Sequence, residues 1–290
     1  MAVRMQRHLG SALGELRYEP FAPRVRARVG DHVVVDTTSA VLVWEPRRIV
    51  PSYAVPVGDL DAEVVPVDPQ PEPPDPASLP PVLGPDDIEP HTTPGRLADL
   101  VTPGRTLPRS AWLLDDEDLA GLAVLDFPSF DRWHAEEEEL FGHARDPFKR
   151  IDVMTTSRHV RVELDGTVLA DTQRAQVLLE SPLPVSRYYI PEADVRTELL
   201  VPSETRTTCA YKGHAAYFST ADGRREGRDI CWVYRHPLDD ALRVKDHVCF
   251  WAERTDHVID GEPTRRPITP WSPREVFEKH MAEHGTLGFV

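Results

Sequence analysis

The chain has 290 residues and carries 48 acidic against 33 basic side chains, a formal net charge of −15 that argues against nucleic acid as a partner, because phosphate binding needs a basic surface. At 40% hydrophobic residues it can bury a core, yet it holds no apolar run of the ~18 residues that a membrane span needs. Its three cysteines, Cys209, Cys231 and Cys249, are odd in number and widely spaced, which argues against a disulfide framework and for a reducing, cytoplasmic compartment.

The N-terminal stretch holds Arg4, Arg7 and Arg17 without a continuous apolar segment, so it does not read as a signal peptide. From Val25 onward the dominant feature is an internal repeat. Val25–Leu60 lies over Val160–Val195 without a gap at a constant offset of 135. The two segments share Val25/Val160, Arg26/Arg161, Val33/Val168, Asp36/Asp171, Thr37/Thr172, Ala40/Ala175, Glu45/Glu180, Tyr53/Tyr188, Pro56/Pro191 and Asp59/Asp194. Each copy opens with a strand of period two, as Val160, Val162 and Leu164 alternate with Arg161 and Glu163. A two-residue turn follows, Gly30-Asp31 or Asp165-Gly166, of the kind that strand twist favours. A second strand ends at Asp36-Thr37 or Asp171-Thr172, and a third covers Val41–Glu45 or Val177–Glu180. A fourth strand ends at Pro56 or Pro191, since proline cannot donate to a ladder. A short helical turn is expected over Glu192–Leu199.

Pro66–Pro90 contains ten prolines and reads as an exposed, extended surface loop. Downstream, His91–Gly95 occupies the place of Cys209–Gly213, Ala111–Leu114 that of Cys231–Tyr234, and Leu122–Phe127 that of Lys245–Phe250. Each copy is therefore expected to form a meander or small barrel of roughly six to eight strands. The acidic run Glu136–Glu139 reads as a solvated face. Ser272-Pro273-Arg274-Glu275 has the form of a capping box and should start a C-terminal helix ending near His284. The domain plan is a first module over 18–140 with the insertion at 66–90, a linker over 141–157, a second module over 158–262, and a tail and helix over 263–290.

Several of these segments resemble a bacterial family, the domain of unknown function numbered 427, in a two-module form. The resemblance runs from about Tyr18 to Ser272 and rests on VVVDT (Val33–Thr37), YYIPEADV (Tyr188–Val195), CAYKG (Cys209–Gly213), Trp232–Tyr234 and GHARDPFKRID (Gly142–Asp152). Ala210 stands where the family has proline. The resemblance implies a mainly β fold of two tandem β-tent-like modules, and relatives of that fold bind zinc through C-x-x-C knuckles. Here the cysteines are separated by 21 and 17 residues, so no metal is expected, and Cys231 and Cys249 read as small core residues. Family members have been labelled nucleotidyltransferases. That chemistry needs a glycine-rich phosphate loop and magnesium-holding carboxylates. The loop is absent, and Asp36 and Asp171 read as strand-end residues making local turn hydrogen bonds.

The most site-like segment is Cys209-Ala210-Tyr211-Lys212-Gly213. If it were a strand, Cys209 and Tyr211 would face one side and Lys212 the other. The expected function is binding of, or action on, a small molecule in a pocket of the second module near the seam between modules, with no cofactor. Candidate residues are Lys212, Cys209, Tyr211, Tyr189 and Arg161, with His143 and Arg145 contributed by the linker. Set against this are two plainer readings: Lys212 as the partner of a buried carboxylate, and the chain as a non-catalytic interaction module. No reaction is named by the sequence.

Overall fold

A computed structural model describes residues 2, 5–72, 74–75, 78–84, 89–181 and 183–284. The chain divides into two compact units, Ala12–Asp146 on one hand and Met1–Ser11 with Pro147–Val290 on the other. Within the second lie a short helix α1 (Met5–Ser11) and a C-terminal helix α2 (Arg274–His284). Everything else of regular form is strand or short 3₁₀ turn.

The first unit is built from β1 (Arg17–Phe21), β2 (Val25–Val29), β3 (His32–Thr37), β4 (Ala40–Trp44), β5 (Ser52–Pro56), β6 (Glu63–Pro66), β7 (Gly95–Thr102), β8 (Arg105–Leu114), β9 (Leu122–Leu125), β10 (Arg132–Ala135) and β11 (Glu138–Leu140). Seven of these form a sheet in the order β1-β4-β5-β9-β8-β7-β6, and four form a second in the order β11-β10-β2-β3. The second unit continues with β12 (Ile151–Thr155), β13 (Val160–Leu164), β14 (Thr167–Thr172), β15 (Gln176–Glu180), β16 (Leu183–Pro191), β17 (Leu200–Cys209), β18 (Gly213–Thr220), β19 (Cys231–Tyr234), β20 (His247–Phe250), β21 (Asp256–Ile259) and β22 (Glu262–Pro263). Its sheets run β12-β15-β16-β20-β19-β18-β17 and β14-β13-β21-β22. Adding eleven to each strand number of the first unit reproduces the second. The tandem repeat is therefore a repeat of topology, and all strand pairs in both units are antiparallel.

The detail is duplicated too. β2 and β13 both show the inward-outward alternation expected of a half-buried strand. Each carries a bulge at the same place, Ala27/Arg28 and Val162/Glu163. Thr37 Oγ1 donates to Asp59 at 2.6 Å and accepts from the Ser39 amide at 3.0 Å; Thr172 Oγ1 donates to Asp194 at 2.6 Å and accepts from the Arg174 amide at 3.0 Å. The strand-end local bonds thus belong to the threonines. Asp36 and Asp171 instead pair with Arg24 and His159, which are also related by the offset.

Each unit holds more strands than the six to eight expected. The surplus comes from short edge strands and from the closing hairpins, whose pairing with β2 or β13 joins residues about a hundred positions apart and leaves no local pattern to read. The core of the first unit lies between its two sheets, where Trp133 is fully buried, stacks on Phe127 at 5.0 Å and meets Tyr53 at 5.5 Å. The other face of the large sheet carries a second apolar cluster with Leu97 and Trp112. In the second unit that outer face is aromatic, with Tyr189, Tyr217, Trp232 and Tyr234.

The helix α2 begins where expected, but Ser272 turns its hydroxyl back toward Thr269 N and Pro267 O. The proline-rich segment also departs from an exposed loop. Pro73, Pro76, Ala77 and Pro85–Ile88 lie outside the described residues. Of the rest, Leu83 is fully buried, its amide bonds to Arg47 O at 2.7 Å, and Arg47 Nη1 donates to the carbonyls of Leu79 and Pro80.

The duplicated threonine bonds give an ordered expectation. Thr37→Val removes the one side-chain donor that Asp59 has among the described residues and should cost about 1–3 kcal/mol. Thr172→Val should cost less, because Asp194 keeps the guanidinium of Arg174. Urea unfolding of the two variants checks the order, and equal or reversed losses would contradict it.

Candidate functional site

Glu45 follows the last residue of β4, and Glu180 ends the equivalent β15. Each places a carboxylate beside the loop that opens β7 or the turn that opens β18, and each is held there by cations of different origin.

In the first unit Glu45 is only 2% exposed. Arg48 Nε lies 3.3 Å from Oε2, and His91 Nδ1 donates to the same oxygen at 2.9 Å. Oε1 accepts from Thr92 N at 3.0 Å and from Thr93 Oγ1 at 2.6 Å. Burial alone would raise this carboxyl, but the bonds and charges of His91, Arg48 and Thr93 reverse the effect and bring it down to about 2. Glu45 is therefore an anion at neutral pH, and an anion accepts only. The proton between it and His91 therefore sits on Nδ1. The His91 ring stacks on Trp112 at 4.1 Å with 7° between planes, and Trp112 Nε1 reaches Thr93 Oγ1 at 3.3 Å. Gly95 is required beside this stack, since a Cβ there would stand 2.6 Å from the Trp112 ring and from Leu113 O.

His91 and Trp112 line a cavity of about 700 Å³ in the first unit. The proline-rich insertion supplies part of its wall, including Pro71, Leu79 and Pro90, with Arg47, Glu89 and Arg109 among the polar lining. All of the described lining residues belong to the first unit.

In the second unit Lys212 Nζ donates to Glu180 at 2.6 Å, and Lys149 Nζ lies 2.7 Å from the other oxygen. Burial would raise the carboxyl, but the two ammonium groups hold it far below the usual carboxylate range. Burial would likewise lower the ammonium of Lys212, and Glu180 more than offsets that, keeping it charged. Lys149 also sits over the Tyr211 ring, 5.0 Å from its centroid.

The expected strand through Lys212 is in fact a hairpin turn. Cys209 ends β17 and pairs with Gly213, so Ala210, Tyr211 and Lys212 form the turn itself. Gly213 adopts φ +90° there. Strand alternation does not apply, and both Tyr211 and Lys212 are buried. Tyr189 is buried and accepts from Trp232 Nε1 at 3.2 Å, while Cys209 is half-buried. Arg161 lies on the small sheet, bonded to Glu163, away from the large-sheet turn that holds Lys212. His143 and Arg145 belong to the first unit, where His143 is buried with Nδ1 2.7 Å from Ala144 O. The structure therefore brings together Lys212, Tyr211 and Lys149 around Glu180. Sequence reading passed over the Glu45–His91 pair. The signal that marked it was Glu45/Glu180, a shared ionisable residue at the end of an apolar strand.

A second buried ion pair lies in the second unit. Arg187 bonds Glu253 through two contacts of 2.6 and 2.5 Å, with its guanidinium facing Trp232, Trp251 and Trp271 at 5.9, 5.4 and 5.9 Å. Thr269 Oγ1 donates to the same carboxylate at 2.7 Å. Among the described residues no group of three or more His, Cys, Asp or Glu side chains is placed to hold a metal ion, and no helix is long and apolar enough to cross a membrane.

Residues 152–261 match a family model labelled NTP_transf_9 and described as a domain of unknown function, DUF427. The match covers less than half of the chain and takes in β12 to β21, so this part is DUF427-like. No curated protein matches the chain.

Two expectations follow from these pairs. Glu180→Gln strands Lys212 in a buried site without a counterion and should cost about 3–5 kcal/mol. Lys212→Met should cost less, because Lys149 still neutralises Glu180. Chemical denaturation that ranks them the other way would refute this assignment of charges.

The second expectation concerns acid. His257 is buried and held down to about 4 by burial and by Arg187, against an ordinary 6.5. Glu45 lies at about 2 against an ordinary 4.5. Both folded values are below the unfolded ones, so both contributions are present at high pH and are lost as pH falls. The His257 share should go between pH 6.5 and 4, and the Glu45 share between pH 4.5 and 2. Stability measured against pH should therefore keep its lower step in His257→Phe and show a smaller one in Glu45→Gln, where Glu180 still contributes.

Proposed function

We propose that this protein binds a small organic molecule in the first-module cavity, with His91 as its polar anchor and Glu45 fixing the orientation of that anchor. One observation carries the reading. A histidine that lines a cavity of about 700 Å³ has one ring nitrogen committed to a buried carboxylate. Small-molecule sites combine about 300–1,000 Å³ of largely apolar space with a few fixed polar groups, and this cavity has that make-up. Orienting an imidazole through its far nitrogen is also how proteins fix which tautomer meets a ligand.

The second module supports the reading by contrast. Its equivalent carboxylate is closed over by two lysines, and the Lys212 ammonium that sequence analysis placed in a pocket is engaged by Glu180. We assign the second copy a supporting role and the first the ligand. The nucleotidyltransferase label gains nothing from the cavity, where Glu89 is bonded to Arg109 through both oxygens at 2.7 Å.

Native mass spectrometry of the full chain, purified gently from its expression host or after incubation with a metabolite extract, tests this. The unaltered protein should retain a small molecule, and His91→Phe, which keeps a flat ring against Trp112, should lose at least about nine-tenths of it at unchanged protein concentration, as expected if a buried polar anchor is removed. Retention that survives His91→Phe but disappears in Lys212→Met would move the site to the second module and overturn the proposal.

A further inference from the structure

Arg48 is buried and is not among the residues that line the cavity. Its guanidinium nevertheless touches both groups that place His91 there. Nε lies 3.3 Å from Glu45 Oε2, the oxygen that also accepts from His91 Nδ1 at 2.9 Å. Nη2 donates at 3.2 Å to the carbonyl of Pro90, the residue just before His91. One planar group therefore holds the carboxylate that orients the imidazole and the backbone from which the imidazole hangs. The backbone of Arg48 is itself fixed. Its amide donates to Glu45 O at 3.0 Å, and its carbonyl accepts from Arg17 Nη2 at 2.9 Å.

One bond does not position a ring. The bond from Nδ1 to Glu45 sets how the imidazole is turned, but the chain must also carry the ring to its place. On the C-terminal side of His91, Thr92 N and Thr93 Oγ1 tie the loop to Glu45 Oε1. On the N-terminal side, among the described residues, the Pro90 carbonyl is tied to Arg48 and the Glu89 carboxylate to Arg109. The Glu89–Arg109 pair is exposed, and exposed ion pairs contribute little. The bond from Arg48 is the buried one. Lysine could replace the charge of Arg48 but not its span, since an ammonium is a point donor without the rigid guanidinium fork. The repeat points the same way. At the offset of 135 the second copy has Leu183 in place of Arg48, and Cys209 takes the place of His91. The arginine and the histidine thus occur together in one copy and are both replaced in the other.

We infer that Arg48 is the positioning residue of His91: by bridging Glu45 and the Pro90 carbonyl it holds the imidazole flat against Trp112 at the cavity wall. The inference rests on the binding role proposed above for its purpose, while the placement it describes belongs to the chain with nothing bound.

NMR of the full chain, isotope-labelled in histidine, tests this. An imidazole stacked on an indole at 4.1 Å with 7° between planes lies in the shielding region of the larger ring. The carbon-bound ring protons of His91, identified by their through-space contacts to Trp112, should therefore be displaced upfield. In Arg48→Lys, which keeps the charge and leaves every lining residue in place, that displacement should collapse toward the position of an unstacked histidine. A displacement kept in full in Arg48→Lys, even at lowered stability, would make Arg48 merely structural and overturn the inference. So would the absence of any displacement in the unaltered chain. Should the variant fail to fold, the unaltered chain still decides. A guanidinium held by Pro90 O and Glu45 cannot turn about its Nε–Cζ bond, so the two Nη nitrogens of Arg48 should give separate signals. A single averaged signal would overturn the inference. Loss of the ring signature alone leaves the cavity as the binding site if a molecule is still retained through His91, and a chain that retains no molecule leaves the ring signature to be read, so the two failures are distinguishable.

Discussion

A buried carboxylate at the end of the fourth strand organises each module. An ionised oxygen pair inside a protein is tolerated only where donors surround it, and its removal from water is costly until they do. Glu45 and Glu180 therefore dictate what the neighbouring loop must bring. In one module the loop brings an imidazole and two threonines, with an arginine from the residues just after the strand. In the other the turn brings a lysine, and a second lysine arrives from the segment before β12. The same requirement is met in two ways, and the choice of cation decides what else the site can do. An imidazole has a second nitrogen to offer outward. An ammonium set against a carboxylate in a closed turn does not face outward.

The proline-rich insertion acts on this difference. A loop buries little unless its backbone groups find partners. Here Arg47 supplies them, with its side chain on two carbonyls and its own carbonyl accepting from Leu83. Arg47 sits at φ 70°, a conformation uncommon outside glycine. Through these bonds Arg47 ties the insertion to the segment just after β4. The turn between β17 and β18 has no such covering segment of its own sequence, since Cys209 and Gly213 pair directly.

The repeat and the β-rich fold were legible because alternation and turn chemistry are local properties. Val160, Val162 and Leu164 are fully or nearly fully buried as their spacing requires, and Asp165-Gly166 takes positive φ at both residues. The four-stranded sheets were not legible, because β10 and β21 find their partners across most of a module. CAYKG reads as a strand from sequence alone, because nothing in five residues announces a hairpin whose only glycine stands at its end. The site was legible only in outline. The motif at Cys209–Gly213 and its counterpart His91–Gly95 open equivalent strands, and the copy with the more reactive side chains is the one that stands out in sequence. What distinguishes the copies is the partner of each residue, and Glu45 lies 46 positions from His91. A nucleophile count could not reveal that pairing, whereas the shared glutamate could have prompted a search for its counter-charge in both copies.

The ion pair of Arg187 with Glu253 bears on how the chain is made. Both of its extra supports, the Thr269 hydroxyl and the Trp271 ring, come from the stretch leading into α2. Synthesis runs from the N-terminus, and domains fold as their residues emerge. The first unit holds all of its strands within Ala12–Asp146 and can close while the second is still being translated. The second module, by contrast, carries a desolvated guanidinium and carboxylate that are incompletely surrounded until the codons for Thr269 and Trp271 have been read. Its sheets can form earlier, but its buried charge is finished late, so a ribosome that stops short of Thr269 releases a module with its strands in place and its polar core still open to water.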